Sequence, residues 1–246
     1  MSMKGLEFLA NDHFPNIKEQ PLESYKDCLP GKRCRVSFQR LDEARRRKQI
    51  LDLIHSDVCS TSKKSLGGAR YFVSFIDDHS KKVWVYPLKM KYQVLWAFKE
   101  FYALVEQEIG RKLKCLRSDN GGEYKGLFEA YCKAHGIWHE KVPPITPQLN
   151  GLAEIMNRTI AEKVRCMLSH SKLPKTLWGE AMKTAIDLIN LSPSRPLNRE
   201  ILEEVWSRKK AFYGHLRVFG WKAFVHISKD KRAKLNSKAK ECIYLG

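Results

Sequence analysis

Between residues 50 and 191 the chain alternates short apolar runs with segments of helical periodicity, and few folds accept this order. The runs at 50–58, 71–77, 83–88, 112–117 and 137–139 have the length and composition of strands. The segments at 93–109, 127–134, 150–169 and 177–191 repeat apolar residues at helical spacing. The predicted order is three strands, helix, strand, helix, strand, helix, helix, which indicates an α/β domain and not a helical bundle.

Turn-forming residues separate these segments. Residues 78–80, Asp-His-Ser, predict a hairpin turn between the second and third strands. Gly110 follows the first helix, at the position where a left-handed residue commonly ends one. Three prolines between 143 and 147 predict a loop before the third helix.

The chain is strongly basic, which bears on its partners. Lys and Arg number 45 and Asp and Glu number 27, so the net charge is +18, and the pI is about 9.6. We expect an acidic partner, with nucleic acid as the first candidate and a cationic membrane anchor as the alternative. No apolar run predicts a membrane-spanning helix, and the first ten residues lack the apolar core of a signal peptide. Seven cysteines without an export signal indicate reduced thiols in an intracellular protein.

Three acidic residues stand where predicted strands end or a helix begins. Asp57 ends the first strand, Asp119 follows the fourth strand, and Glu154 lies in the first turns of the third helix. Adjacent parallel strands and a flanking helix can bring such residues to one edge of a sheet. Three carboxylates there would repel one another without bound cations, and hard oxygen ligands select Mg²⁺ or Mn²⁺. Two such ions can activate a nucleophilic oxygen and stabilise the leaving oxygen of a phosphodiester.

Each of these residues also has a purely structural interpretation. An aspartate after a strand usually forms a turn or caps a helix, and a glutamate near a helix start complements the macrodipole. On a helical projection Glu154, Arg158 and Arg165 share one face. The opposite face carries the apolar residues Met156, Ile160, Val164 and Met167. The apolar face predicts burial, and the charged face predicts either phosphate contact or a solvated surface.

Several segments together resemble the integrase core of Ty1/Copia-type retrotransposons. They are His-Ser-Asp-Val at 55–58, Phe-Ile-Asp-Asp-His-Ser at 75–80, Leu-Arg-Ser-Asp-Asn-Gly-Gly-Glu-Tyr at 116–124 and Asn-Gly-Leu-Ala-Glu-Ile-Met-Asn-Arg-Thr at 150–159. Tail segments at 215–220 and 242–246 match as well, so the resemblance covers nearly the whole chain. It implies an RNase H-like fold, in which helices flank a mixed five-stranded sheet.

The resemblance also implies a site and a reaction. The catalytic and metal-binding residues would be Asp57, Asp119 and Glu154, with two Mg²⁺ or Mn²⁺ ions. The reaction would be 3′-end processing and strand transfer of element DNA into host DNA. Nucleic-acid contacts are expected at Asn157, Arg158, Arg165, Lys231, Arg232 and Lys234. We expect element ends and target DNA as partners, a homo-oligomer and a nuclear location, with neither a membrane nor a small-molecule substrate.

The chain departs from the family pattern in places. Asp119 and Glu154 enclose 34 residues, one fewer than the family usually has. Of the zinc module that precedes the core in this family, Cys28 is the one recognisable ligand, so we expect no bound zinc. We predict three regions: a degenerate zinc-module remnant at 1–45, the catalytic core at 46–195 and a small basic C-terminal extension at 196–246.

Two other functions stay open. The first is a decayed relic that binds DNA without chemistry; the lost zinc module favours it and the intact triad speaks against it. The second is a nuclease of the same fold that hydrolyses RNA–DNA hybrids. The segment at 150–158 and the lack of a fourth clear acidic ligand in the sequence disfavour this nuclease.

Overall fold

The computed structural model describes residues 47–142, 150–234 and 236–246. At its centre is a five-stranded sheet formed by β1 (Ile54–Ser60), β2 (Tyr71–Asp77), β3 (Val83–Leu88), β4 (Cys115–Ser118) and β5 (Trp138–Lys141). The order across the sheet is β3-β2-β1-β4-β5. The first three strands pair antiparallel, whereas β4 lies parallel to β1 and β5 lies parallel to β4. The predicted mixed five-stranded sheet is confirmed.

Helices cover both faces of the sheet: α1 (Val94–Ile109) and α2 (Leu127–Ala134) on one, α3 (Gly151–Ser171) and α4 (Trp178–Asn190) on the other. Successive side chains of a strand point to opposite faces of the sheet, so one strand contributes to the apolar cores on both faces. In β2, Phe75 stacks on Phe101 of α1 with ring centroids 4.6 Å apart. Phe72 points to the opposite face and meets Trp178 of α4 at 6.4 Å. Each face therefore buries its own apolar core.

The observed bounds differ from the predicted ones mainly at the start of β1. The predicted strand began at residue 50, but the backbone of Leu51 is left-handed, with φ 64°. Its N–H donates to Oδ1 of Asp77 at 2.9 Å, and its C=O accepts the N–H of Lys114 at 3.0 Å. These contacts turn the chain before Ile54, where β1 begins.

The predicted turn and the predicted end of the first helix are confirmed. Residues 78–80 form the turn between β2 and β3, and Gly110, with φ 68°, ends α1. Inside the turn, Oδ2 of Asp77 accepts hydrogen bonds from both the N–H and the hydroxyl of Ser80, at 2.7 and 2.8 Å. The loop predicted at 143–147 and the zinc-module remnant predicted at 1–45 lie outside the described residues.

Beyond residue 195 the chain adds a short helix, α5 (Leu202–Ser207), and a two-stranded ribbon of β6 (Lys222–His226) and β7 (Ala239–Ile243). The Trp206 ring of α5 is buried and lies 4.7 Å from that of Trp84 in β3, so this helix packs on the sheet. In the ribbon, the Phe224 side chain is exposed. The region boundaries predicted at residues 45 and 195 stay predictions. No helix in the described ranges is long and apolar enough to cross a membrane.

Candidate active site

Parallel pairing brings the first two candidate carboxylates to the same edge of the sheet. In the β1–β4 ladder, Ile54 stands opposite Leu116 and His55 opposite Arg117. Asp57 follows His55 by two residues, and Asp119 follows Arg117 by two residues. Because parallel strands end at the same edge, this register sets the two aspartates side by side.

Helix α3 brings the third carboxylate to that edge. Nδ2 of Asn157 donates a hydrogen bond to Oδ2 of Asp57 at 2.8 Å, which fixes the start of α3 against β1. Glu154 precedes Asn157 by three residues, nearly one helical turn, so both leave α3 on the same side. Asn157 is buried, whereas Glu154 and Asp119 are exposed. The site is thus built from two strand ends and one helix.

The three carboxylates interact electrostatically at Asp57. Burial raises the pKa of Asp57, and the negative charges of Asp119 and Glu154 raise it further. The hydrogen bond from Asn157 acts in the opposite sense, because it favours the charged form. In the part of the chain that the structure describes, no group of three or more His, Cys, Asp or Glu side chains stands close enough to hold a metal ion. The three carboxylates are close enough to interact electrostatically, but they are not close enough together to coordinate one ion as they stand.

The donor set nevertheless fits a hard divalent cation. All three side chains offer carboxylate oxygens, which Mg²⁺ and Mn²⁺ prefer over nitrogen or sulfur. Asp119 and Glu154 are exposed and Asp57 is half-buried, so a hydrated ion can reach each of them. Asp57, Asp119 and Glu154 are therefore the residues that could hold such an ion.

The turn after β4 brings Gly121 close to two acidic side chains. Oδ1 of Asp119 accepts the N–H of Gly121 at 3.1 Å. A Cβ added to Gly121 would lie 2.8 Å from Oε2 of Glu123 and 3.0 Å from Oδ1 of Asp119. A side chain at position 121 would shift the ends of these two acidic side chains, Glu123 first.

Behind each aspartate lies a buried serine held by an aromatic residue. The hydroxyl of Ser56 bonds that of Tyr124 at 2.7 Å, and the hydroxyl of Ser118 bonds Nε2 of His139 at 2.9 Å. The rings of Tyr124 and His139 lie 6.2 Å apart. One aromatic cluster therefore holds the backbone just before both aspartates. Sequence reasoning missed these contacts, because nothing local links Ser118 to a residue on β5.

The other predicted residues lie around this centre in different environments. Arg158 and Arg165 are exposed, whereas the buried stripe of α3 comprises Ala153, Asn157, Ile160, Val164 and Leu168. The nucleic-acid contact predicted for Asn157 stays a prediction, since its observed partner is Asp57. Lys231, Arg232 and Lys234 lie on the β6–β7 connection, where Nε of Arg232 donates to the C=O of Ile227 at 3.2 Å.

His55 is close to Asp57 in sequence but serves another part of the fold. Its Nε2 lies 3.2 Å from Oδ1 of Asp78, and the ring is buried. Burial lowers the pKa of His55 despite the carboxylate beside it, so the neutral form predominates at pH 7 and the contact is a hydrogen bond. His55 thus fastens β1 to the β2–β3 turn.

No protein-family model matches the chain. Two curated relatives align along most of it. The retrovirus-related Pol polyprotein from transposon TNT 1-94 of Nicotiana tabacum is 55% identical over 249 residues, which is 100% of this chain and 19% of the relative. The retrovirus-related Pol polyprotein from transposon RE1 of Arabidopsis thaliana is 37% identical over 223 residues, which is 91% of this chain and 15% of the relative. The chain therefore spans less than two thirds of the length of either relative.

Solved structures share the fold. A chain of the simian T-cell lymphotropic virus intasome, solved with PP2A regulatory subunit B56 gamma, aligns with a TM-score of 0.56 and 18% identity, covering 79% of this chain and 68% of that chain. The HTLV-2 integrase catalytic core domain in complex with magnesium, in its trimeric form, gives a TM-score of 0.50 and 19% identity, covering 65% and 99%. Identity this low shows the fold alone. With the two polyproteins, these likenesses confirm the predicted resemblance. The chain is therefore homologous to a segment of the retrovirus-related Pol polyproteins of plant transposons, and it has the RNase H-like fold of integrase catalytic cores.

Proposed function

We propose that this chain is the catalytic core of a retrotransposon integrase, which trims the 3′ ends of element DNA and joins them to host DNA. The observation that carries the proposal is the meeting of Asp57, Asp119 and the start of α3 at one edge of the sheet. A polynucleotidyl transferase needs carboxylates at such a place to hold divalent cations beside a phosphodiester. Homology to Pol polyproteins and the integrase-core fold support the same reaction class.

Each residue of the site has a distinct task in this proposal. Asp57, Asp119 and Glu154 would hold two Mg²⁺ or Mn²⁺ ions through their carboxylate oxygens. Ions held there would supply activation of the attacking oxygen and stabilisation of the leaving oxygen. Asn157 holds the Asp57 carboxylate in one orientation through its Nδ2. The N–H of Gly121 does the same for Asp119.

DNA is the partner in this proposal, and the basic surface binds it. Arg158 and Arg165 extend from the exposed side of α3, the helix that also carries Glu154. Lys231, Arg232 and Lys234 add positive charge on the β6–β7 connection. Phosphates bound by these side chains would hold a DNA end while the carboxylates act on it. We also propose a homo-oligomer, in line with the intasome and the trimeric integrase core among the solved structures, and a nuclear location, where host DNA lies.

Asp119→Asn tests the proposal, because it separates chemistry from binding. The amide holds a divalent cation far less well than the carboxylate, so Mg²⁺-dependent strand transfer should fall below detection. DNA affinity should stay equal or rise slightly, since a negative charge near the phosphates is removed. The measurement pairs a strand-transfer assay, with a labelled DNA end and a plasmid target, with a filter-binding titration.

The same assay decides between the proposal and its alternatives. Wild-type Mg²⁺-dependent joining that survives in Asp119→Asn would show that the catalytic assignment is wrong. A wild type that binds DNA but never joins it would be the decayed relic. Cleavage of an RNA–DNA hybrid without any joining would identify the nuclease instead.

A further inference from the structure

A groove of about 760 Å³ runs along the outer edge of β3. Its floor includes Trp84 and Val85, and α4 contributes Met182 and Ile186 to one wall. The opposite wall comes from residues in the range 203–215. Because β2 and β1 lie between β3 and β4, the groove is on the far side of the sheet from Asp119. The site proposed for DNA chemistry therefore leaves this surface without a role.

The edge of β3 presents backbone groups to the groove. In an antiparallel ladder, successive residues point their peptide groups alternately towards and away from the neighbouring strand. The C=O groups of Lys82 and Leu88 both accept hydrogen bonds from the β2 side, at 3.1 and 2.9 Å. The peptide groups of Val83 and Val85 therefore point outwards, and Pro87 has no N–H to offer.

A side-chain amide already occupies the first outward position. The N–H of Val83 donates to Oδ1 of Asn190 at 3.0 Å, and Nδ2 of Asn190 donates to the C=O of Val83 at 2.9 Å. A carboxamide carries the same donor and acceptor as a peptide group, so Asn190 stands in for one residue of a sixth strand. The next outward-pointing N–H and C=O groups are those of Val85, and they face the groove beyond Asn190.

The rim of the groove carries excess positive charge. Lys183, Lys209 and Lys210 all line it and are exposed, and in the described ranges none of them forms an ion pair. By contrast, Lys82 pairs with Glu203 at 2.9 Å. Besides the Lys82–Glu203 pair, one further carboxylate, that of Asp187, lines the groove, so an acidic occupant would meet three ammonium groups against one carboxylate.

We propose that this groove binds an extended acidic peptide of a partner protein, which adds as a strand to the edge of β3. Its backbone would bond the outward N–H and C=O of Val85, which extends the line begun by Asn190. Its acidic side chains would face Lys209 and Lys210, and its apolar ones would lie on Met182 and Ile186 of α4. The phosphate backbone of a nucleic acid fits less well, because its oxygens only accept hydrogen bonds and could bond the N–H of Val85 but not its C=O, whereas a peptide backbone bonds both.

The test uses fluorescence anisotropy with labelled synthetic decapeptides and the full chain. The probe alternates valine and glutamate, so that one face is apolar and the other acidic. A second peptide has every backbone N–H methylated, and a third replaces each glutamate by lysine. The Lys209→Glu/Lys210→Glu variant reverses two rim charges, and Lys63→Glu/Lys64→Glu is the matched control, since Lys63 and Lys64 are also adjacent and exposed but lie outside the groove.

The rim variant should weaken binding of the probe about tenfold, whereas the control should stay within about twofold. The methylated and lysine peptides should bind at least about tenfold more weakly than the probe. Equal loss in both double variants would overturn the site, because it would show non-specific attraction. Undiminished binding of the methylated peptide would overturn strand addition. Displacement of the probe by a single-stranded oligonucleotide of equal charge would identify the groove as a nucleic-acid surface instead. Equal thermal midpoints of the variants exclude unfolding as the cause.

Discussion

At the residue scale, the surroundings of Asp57 act on its charge in two opposite ways. Burial and the charges of Asp119 and Glu154 raise its pKa, whereas the Asn157 amide is placed to serve its ionised form. An ionised group in such surroundings costs folding free energy unless a cation compensates it. Residues that are needed for function but unfavourable for stability are expected in active sites.

Asp57→Asn should therefore stabilise the protein in EDTA while it abolishes joining. The asparagine oxygen can still accept from Asn157, so the main change is loss of a negative charge. We expect the thermal midpoint to rise by about 2–4 °C, the shift that about 1 kcal/mol produces in a domain of this size. Differential scanning calorimetry measures it, and added Mg²⁺ should raise the midpoint of the wild type but not of the variant. A lower midpoint for the variant in EDTA would contradict this account.

The candidate site residues could be predicted from the sequence, but the residues that position them could not. Asp57, Asp119 and Glu154 could be singled out because each stands at an element boundary in a recognisable motif. The partners that hold them could not, because Asn157 reaches Asp57 across 100 positions and His139 reaches Ser118 across 21. Contacts of this kind depend on how strands pair, which no local pattern specifies.

At the element scale, the β2–β3 turn is tied to β1 through Asp78. Burial alone would raise the pKa of this carboxyl, but the His55 ring, the Lys81 ammonium and the N–H of Arg47 outweigh burial and lower it well below its usual range. A folded-state pKa below the unfolded one means that the stabilisation is present at neutral pH. It is lost as the pH falls through and below the unfolded value, which is about 4.

Asp78→Asn should accordingly destabilise the protein by about 1–3 kcal/mol at pH 7, the cost of removing one partner of a buried hydrogen bond. The difference from the wild type should shrink steadily below about pH 4, as the wild-type carboxyl in the unfolded chain becomes protonated. Urea unfolding at several pH values measures both effects. Glu100→Gln on the exposed side of α1 serves as control. A difference that stays constant down to pH 2 would show that charge at Asp78 is not the cause.

The elements themselves were largely predictable, for identifiable reasons. The strands at 71–77 and 83–88 and the helix at 127–134 match their predicted bounds, because apolar runs and glycine or turn residues delimit them. The start of β1 was predicted too early, because the Leu51 peptide group bonds Asp77 and Lys114 rather than a strand neighbour. The ribbon β6–β7 was missed, since its strands mix lysine, glutamate and apolar residues.

At the scale of the whole molecule, the net charge of +18 should control DNA affinity. If six to ten phosphates are contacted, affinity should fall by roughly 10³ to 10⁵ between about 50 and 200 mM salt. The triple variant Lys231→Glu/Arg232→Glu/Lys234→Glu should lower the magnitude of the log–log salt slope by about three, one for each lost contact. Anisotropy titrations at graded salt measure the slope. An unchanged slope would place the DNA elsewhere on the protein.

The strand order has a consequence for how the site comes into being during synthesis. β1, β2 and β3 are consecutive and antiparallel, so they can form a meander as soon as they leave the ribosome. β4 must then return past α1 to lie beside β1, and loop closure of this length is slow. Until it arrives, β1 is an open edge that another nascent chain can join. The β1–β4 pairing that brings Asp57 and Asp119 together therefore forms only after the meander, and misassembly of the growing chain would begin there.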